Sequence, residues 1–127
     1  MINKFTDLEI WQLAKDIVIK TYRLLNTFPI EEKYGVVAQC KDSVVSIPSN
    51  IAEDFGRYYF KDRIKFLYNS RGSLEETKSH LLLSDSLGFI TKENIVLYHE
   101  ILQDLEKLGV KLNNYIKGIS NSIPNNK

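Results

Sequence analysis

Residues 43–57, SVVSIPSNIAEDFGR, decide how the whole chain is interpreted, because they place Pro48 inside a helical pattern. Apolar residues recur at steps of three and four on both sides of the proline: Val44, Ile47, Ile51 and Phe55. This is the spacing of one helix face, although a proline inside a helix removes a backbone donor and costs about 3 kcal/mol. Since the spacing passes through Pro48 without a change of phase, we predict one kinked helix that ends at Gly56.

A polar stripe runs beside this apolar face. It consists of Ser43, Ser46, Asn50, Glu53 and Arg57. Glu53 and Arg57 have the order and spacing of an ion pair within one helix, worth a few tenths of a kcal/mol. Two interpretations stay open: a structural network within or between subunits that fixes register, or contact with a ligand or nucleic acid.

Apolar periodicity on either side of this segment predicts four helices, at about residues 7–27, 30–56, 60–87 and 92–117. In the third, Leu67, Leu74 and Leu81 fall seven apart, and small residues follow at the same period: Ser70, Thr77 and Ser84. This small edge should allow another helix to approach closely. Long amphipathic helices joined by short turns predict an all-α fold, an antiparallel up-down-up-down four-helix bundle with a kinked second helix. It should span residues 1–118, followed by a disordered tail at 119–127.

Gly72 stands inside the third predicted helix, where glycine costs about 1 kcal/mol relative to alanine. If the second and third helices are antiparallel about the turn after Gly56, Gly72 lies near the level of residues 44–46, just behind Pro48. We predict that the missing side chain makes room for the bend. The candidate structural or interface residues are therefore Pro48, Asn50, Glu53 and Gly72.

Composition narrows the class of protein. The chain has 127 residues, 43% hydrophobic, with a net charge of +1, which fits one globular domain without a global attraction to nucleic acid or membrane. Cys40 is the only cysteine, so we expect a buried apolar residue in a reducing cytoplasm rather than a disulfide. No apolar run approaches the roughly 18 to 20 residues that span a bilayer, so we expect no membrane partner.

No pattern of residues predicts catalysis. His80 and His99 are the only histidines, and neither has a second histidine or a cysteine at metal-ligand spacing. No glycine-rich phosphate loop, dinucleotide fingerprint or nucleophile with a general base is present. We therefore predict a protein that is not an enzyme, with no catalytic residues, no cofactor and no metal.

A basic group follows the second helix. It comprises Arg57, Lys61, Arg63, Lys65 and Arg71, opposed only by Asp62 between positions 57 and 71. Tyrosine and phenylalanine are interleaved with these charges, a mixture that suits phosphate contacts together with base stacking. The alternative is an ordinary solvated helix face, since Lys61 and Lys65 point the same way into water.

Three segments carry a resemblance to a known family: FTDLEIWQLA at 5–14, PIEEKYGVVAQCKDSVVSIPSNIAEDFGR at 29–57, and RIKFLYNSRGSLEETKSHLLLSDSLGF at 63–89. The chain resembles the four-helix-bundle family of 23S rRNA intervening-sequence proteins. SIPSNIAE is its most distinctive part, while Asp54 replaces the glycine that the family more often carries. The resemblance implies a small bacterial bundle that assembles as a homopentamer and has no enzymatic activity. The related accessory protein of diversity-generating retroelements uses a basic surface toward nucleic acid and reverse transcriptase.

The leading hypothesis is a self-associating bundle that binds RNA or a nucleoprotein complex through the basic group. Self-association is also suggested by the wide apolar face of the first predicted helix. The rival hypothesis is a scaffold or accessory subunit that contacts a protein partner and no nucleic acid.

Overall fold

Four long helices make up the computed structural model, which describes residues 2–121. They are α1 (Glu9–Leu25), α2 (Val36–Phe55), α3 (Phe60–Ser86) and α4 (Ile95–Asn121), with short 3-10 turns before α1 and α2. Within the described residues there is no strand. α1 and α3 each pack against both α2 and α4, and α2 with α3 forms the most extensive contact. The predicted all-α four-helix bundle is confirmed.

Pairs of polar contacts show that neighbouring helices are antiparallel. On α1 and α4, Lys20 binds Asp104 while Glu9 binds Lys111, so residue numbers rise on one helix as they fall on the other. The same inversion joins α3 and α4, where Lys78 binds Glu106 and Arg71 binds Asn113. The chain therefore runs up and down through four successive helices.

The core consists of aliphatic side chains from all four helices. Leu67, Leu74 and Leu81, the predicted heptad row of α3, are all buried, and rows on the other helices face them. The fully buried aliphatic residues of those rows include Ile17, Leu24, Val44, Ile47, Ile51, Ile101, Leu105, Leu108 and Leu112. Each buried side chain of this size contributes roughly 1.5 to 3 kcal/mol, so the core accounts for the stability of the bundle.

Small polar residues let α2 and α3 approach closely. Ser70, Thr77 and Ser84 are all buried, as the heptad spacing predicts for a small edge. The Ser70 hydroxyl donates to the backbone carbonyl of Ile47 at 2.9 Å, and the hydroxyls of Thr77 and Ser43 lie 2.8 Å apart. Hydroxyl groups therefore reach across the contact to the facing helix, which larger side chains would hold further away.

The second helix begins later than the sequence predicts. The predicted helix starts at residue 30, whereas α2 starts at Val36, after the 3-10 turn Ile30–Glu32. Gly35 separates the 3-10 turn from α2, because its backbone is not helical (φ −102°, ψ −121°). Tyr34 beside it is 87% exposed. From Val36, α2 continues through Pro48 and is capped by Gly56, so helix end and proline placement agree with the prediction.

The fourth helix extends beyond the predicted end of the bundle. α4 begins at Ile95 and continues to Asn121, and Ile119 is buried against the core. Residues 119–121 are therefore part of the helix rather than of a tail. The remainder of the predicted tail, residues 122–127, lies outside the described residues.

The prediction for Gly72 is wrong. A Cβ added at Gly72 would have no heavy atom within 4 Å beyond its own helix, so the residue faces open space and makes no room for Pro48. The predicted level along the helix was correct, because the next residue, Ser73, donates from its hydroxyl to that of Ser46 at 3.0 Å. The error is one of rotation: one residue step turns a helix by about 100°, which carries Gly72 away from α2.

Candidate nucleic-acid interface

The outward face of α3 presents a row of polar side chains immediately after the α2–α3 turn. Lys61, Lys65 and Tyr68 follow one another at steps of four and three, so they share one face of the helix. All three are exposed. Among residues 2–121, neither lysine has an ion-pair partner, so both ammonium groups are open to an external anion.

Two exposed tyrosines precede this row in the chain, and a third, Tyr68, belongs to it. Tyr58 is 88% exposed, Tyr59 is 69% exposed and Tyr68 is 48% exposed. The rings of Tyr58 and Tyr59 meet edge to face, with centroids 5.0 Å apart. The guanidinium of Arg71 lies 4.8 Å from the centre of the Tyr68 ring and donates to the Asn113 side-chain oxygen at 3.0 Å. Among the described residues Arg71 has no acidic partner, and it packs against the Tyr68 ring.

Arg57 lies at the edge of this face, toward α2. It forms an exposed ion pair with Glu53 over 3.0 Å, as the sequence spacing predicts. Its guanidinium also packs 4.8 Å from the centre of the Phe66 ring. Exposed pairs of this kind are worth well under 1 kcal/mol, so Glu53 competes only weakly with an external phosphate for Arg57.

Arg63 does not belong to this exposed face, contrary to the sequence prediction. Its Nε donates to Oδ1 of Asp54 at 2.9 Å, and its Nη2 donates to the Tyr115 hydroxyl at 3.4 Å. Asp54 is fully buried, and its carboxylate forms an ion pair with the guanidinium of Arg63. A guanidinium engaged in this way links α2, α3 and α4 and is not available to a phosphate.

Burial governs the electrostatics of this pair. It raises the pKa of Asp54 above the ordinary value of an aspartate, and the hydrogen bond and charge of Arg63 offset only part of that rise. Asp54 was not among the predicted site residues, although its position in the sequence indicates burial. Asp54 follows Ile47 and Ile51 at a step of four and then three, so it continues the buried row of α2.

We call the face that remains after this correction the basic–aromatic surface. Its members are Arg57, Tyr58, Tyr59, Lys61, Lys65, Tyr68 and Arg71. Four of the five predicted basic residues belong to it, and three exposed phenol rings lie among them. The surface combines positive charge with open aromatic rings, which are the two features that bind a nucleic-acid backbone and its bases.

The candidate interface residues of α2 occupy different environments. The Asn50 amide donates to the backbone and side-chain oxygens of Ser46, at 2.8 and 2.9 Å, so it is part of a network within the subunit. Pro48 instead lines an apolar groove between α1 and α2, together with Trp11 and Val18. Of the predicted interface residues, only Pro48 therefore lies on a surface suited to apolar contact.

Cys40 is buried, and burial, with a smaller contribution from Glu76, raises the pKa of its thiol to about 12. A thiol that stays protonated is a poor nucleophile and metal ligand. Among the described residues, no three His, Cys, Asp or Glu side chains come together as a metal site. No helix in residues 2–121 is long and apolar enough to cross a membrane.

Comparisons with known proteins agree with the four-helix bundle. A family model described as 23S rRNA-intervening sequence protein matches residues 6–114, and that description names no reaction. A solved structure from Bacteroides thetaiotaomicron, described as a protein with unknown function from the S23 ribosomal protein family, superposes with a TM-score of 0.75. It is 24% identical and covers 85% of this chain and 95% of its own, so it supports the fold alone. A search of curated proteins found no significant match.

Proposed function

We propose that this chain, which belongs to the 23S rRNA-intervening sequence protein family, binds RNA or a nucleoprotein complex without catalysis. One observation carries the proposal: Lys61 and Lys65 lie unpaired on one exposed face among three exposed tyrosines. The chain as a whole is close to neutral, so this local charge is not a consequence of a basic composition. A role of this kind would place the protein in the cytoplasm.

Reversing the charge of both lysines should abolish most of the binding. We expect Lys61→Glu combined with Lys65→Glu to weaken binding of a structured RNA at least tenfold at low salt, since two phosphate contacts become repulsive. The affinity of the parent should fall steeply with salt because phosphate neutralisation releases counterions. Fluorescence anisotropy at two salt concentrations measures both effects, and the double variant should show a slope shallower by about one to two units.

The matched control is Lys92→Glu combined with Lys107→Glu. Both residues are exposed, and the pair changes the net charge by the same amount but lies outside the basic–aromatic surface. It should bind within about twofold of the parent, because screened charges further than a Debye length act weakly. Equal losses in both double variants, or no binding by the parent at low salt, would overturn the proposal.

The second candidate is self-association, with a homopentamer as the assembly that resemblance suggests. The apolar groove between α1 and α2 favours it, because Trp11, Val18, Val45, Pro48 and Ala52 line that groove and remain only partly covered. Burying such a surface against another copy would be favourable.

Self-association predicts an oligomer in solution. We expect light scattering at micromolar concentration to give a mass several times that of the chain. Trp11 is the only tryptophan, so dilution that dissociates the oligomer should shift its fluorescence emission to longer wavelength. A monomer at micromolar concentration would contradict this part of the proposal. A pull-down followed by nuclease treatment distinguishes a protein that binds the chain directly from one that is held through RNA, because only the first stays bound after the RNA is digested.

A further inference from the structure

We propose that the basic–aromatic surface selects single-stranded nucleic acid, in which unpaired bases stack on its tyrosine rings. This inference rests on the proposed function and adds the class of ligand. It starts from the exposure of Tyr58 and Tyr59, at 88% and 69%. Rings so exposed contribute little to the core, and neither is needed to cap α3, whose N-cap residue Tyr59 makes no side-chain capping bond.

The geometry of these two rings leaves stacking faces open. Their interplanar angle is 87°, with centroids 5.0 Å apart, so one ring presents its edge to the face of the other. That contact covers at most one face of one ring. At least one face of each ring therefore remains available to a base, and a base of any sequence has a π-face that can stack there.

Tyr68 supplies a third ring, already held in place. Arg71 lies over the ring at 4.8 Å and donates a hydrogen bond to Asn113, and Tyr68 is nevertheless 48% exposed, so ring surface not covered by the guanidinium remains open. Arginine guanidinium groups also stack on bases and contact phosphates. From Lys61 to Arg71 the helix axis advances about 15 Å, enough for a short run of nucleotides.

The cations complete a surface that a single strand satisfies better than a duplex. Lys61 and Lys65 are about 6 Å apart along the helix axis, and both are free to contact successive phosphates beside the rings. In a duplex the base faces are covered by neighbouring base pairs, so only the phosphates could be used. In a single strand both phosphates and base faces are accessible, and each stacked base strengthens binding about fivefold or more.

The test compares single strands with duplexes on the full chain. An unstructured oligonucleotide of about twelve nucleotides, as RNA and as DNA, is titrated by fluorescence anisotropy at low salt beside its perfectly paired duplex. We expect the single strand to bind at least tenfold more tightly than the duplex. The RNA and DNA arms show whether the 2′-hydroxyl contributes to recognition.

Tyrosine variants separate stacking from charge. Tyr58→Ala combined with Tyr59→Ala should weaken single-strand binding at least tenfold and weaken duplex binding much less, because a duplex offers its phosphates and not its base faces. Both rings are exposed, so the variant should fold, and far-UV circular dichroism checks this. The control is Tyr34→Ala: Tyr34 is 87% exposed and lies beside Lys33, but precedes α2 at the opposite end of that helix, and its loss should have no effect.

The outcomes distinguish this inference from the proposed function. If duplex and single strand bind equally and the tyrosine variant matches the parent, while Lys61→Glu with Lys65→Glu still weakens binding, single-strand selection is overturned and nucleic-acid binding stands. If neither ligand binds at low salt, both are overturned. If Tyr34→Ala weakens binding as much as the paired variant, the loss is not specific to the surface and the inference is also overturned.

Discussion

Arg63→Ala is expected to lower the free energy of unfolding by about 3 kcal/mol. The substitution leaves the carboxylate of Asp54 with no cation. This carboxylate is fully buried, whereas Arg63 is partly exposed. Removing one partner of a buried pair costs far more than the pair contributes, because the remaining charge loses its compensation. We expect the lower end of the usual range, since part of the space left by Arg63 is accessible to water. Urea unfolding measures the change.

Arg57→Ala is the matched control for this prediction. Arg57 also pairs with an acidic residue of α2, and the Arg57–Glu53 distance of 3.0 Å is close to the 2.9 Å between Arg63 and Asp54. Both side chains of the control pair are about half-exposed, however, so water screens them and its loss should cost less than about 1 kcal/mol. If the two variants lost the same stability, burial would not be the reason for the Arg63 effect.

The loss in Arg63→Ala should depend on pH. Burial raises the pKa of the Asp54 carboxyl, and Arg63 opposes that rise, so removing Arg63 should raise it further. A carboxyl whose pKa is higher in the folded than in the unfolded state binds its proton more tightly when folded. Stability therefore falls as the pH rises from the unfolded-state pKa to the folded-state pKa. The gap between variant and parent should therefore be smallest near the ordinary aspartate pKa of about 4 and widen toward pH 8. Parallel pH profiles would contradict this account.

The parts of the fold that the sequence predicts are those that one helix specifies alone. The heptad row Leu67, Leu74 and Leu81 needs only its own spacing to identify a buried face, and all three are buried. The passage of α2 through Pro48 follows in the same way, because the apolar phase on both sides of the proline belongs to one helix. Each of these features depends on local periodicity.

Features that depend on two helices were predicted poorly, and Gly72 and Arg63 illustrate the reason. Counting residues from a turn gives the position of a residue along the helix axis but not the direction in which its side chain points. Gly72 was therefore predicted to face α2, whereas the residue that faces α2 is Ser73. Counting charges along a helix likewise treats Arg63 as equivalent to Lys61, because the partner, Asp54, is on another helix. The distinction requires the rotation of α2 relative to α3, which periodicity in either helix alone does not contain.

The largest effect of a change in size is expected where a buried side chain of α3 contacts the backbone of α2. Ser70 is fully buried, and its hydroxyl donates to the Ile47 carbonyl at 2.9 Å, so α3 lies directly against the backbone of α2 at this point. Ser70→Leu removes that hydrogen bond and places two additional heavy atoms in a space without room for them. Overpacking in a core costs typically 1 to 3 kcal/mol and the lost hydrogen bond about 1 more, so we expect a loss of about 3 kcal/mol in urea unfolding.

Two further variants separate the causes of that loss. Ser70→Ala removes the hydrogen bond without adding volume and should cost only about 1 kcal/mol. Ser79→Leu makes the same substitution nine residues later, where α3 is exposed, and should change stability by less than about 0.5 kcal/mol. If Ser70→Leu were no less stable than Ser70→Ala, the contact would have room for a large side chain. The small residues of α3 would then not be the reason that these two helices pack so closely.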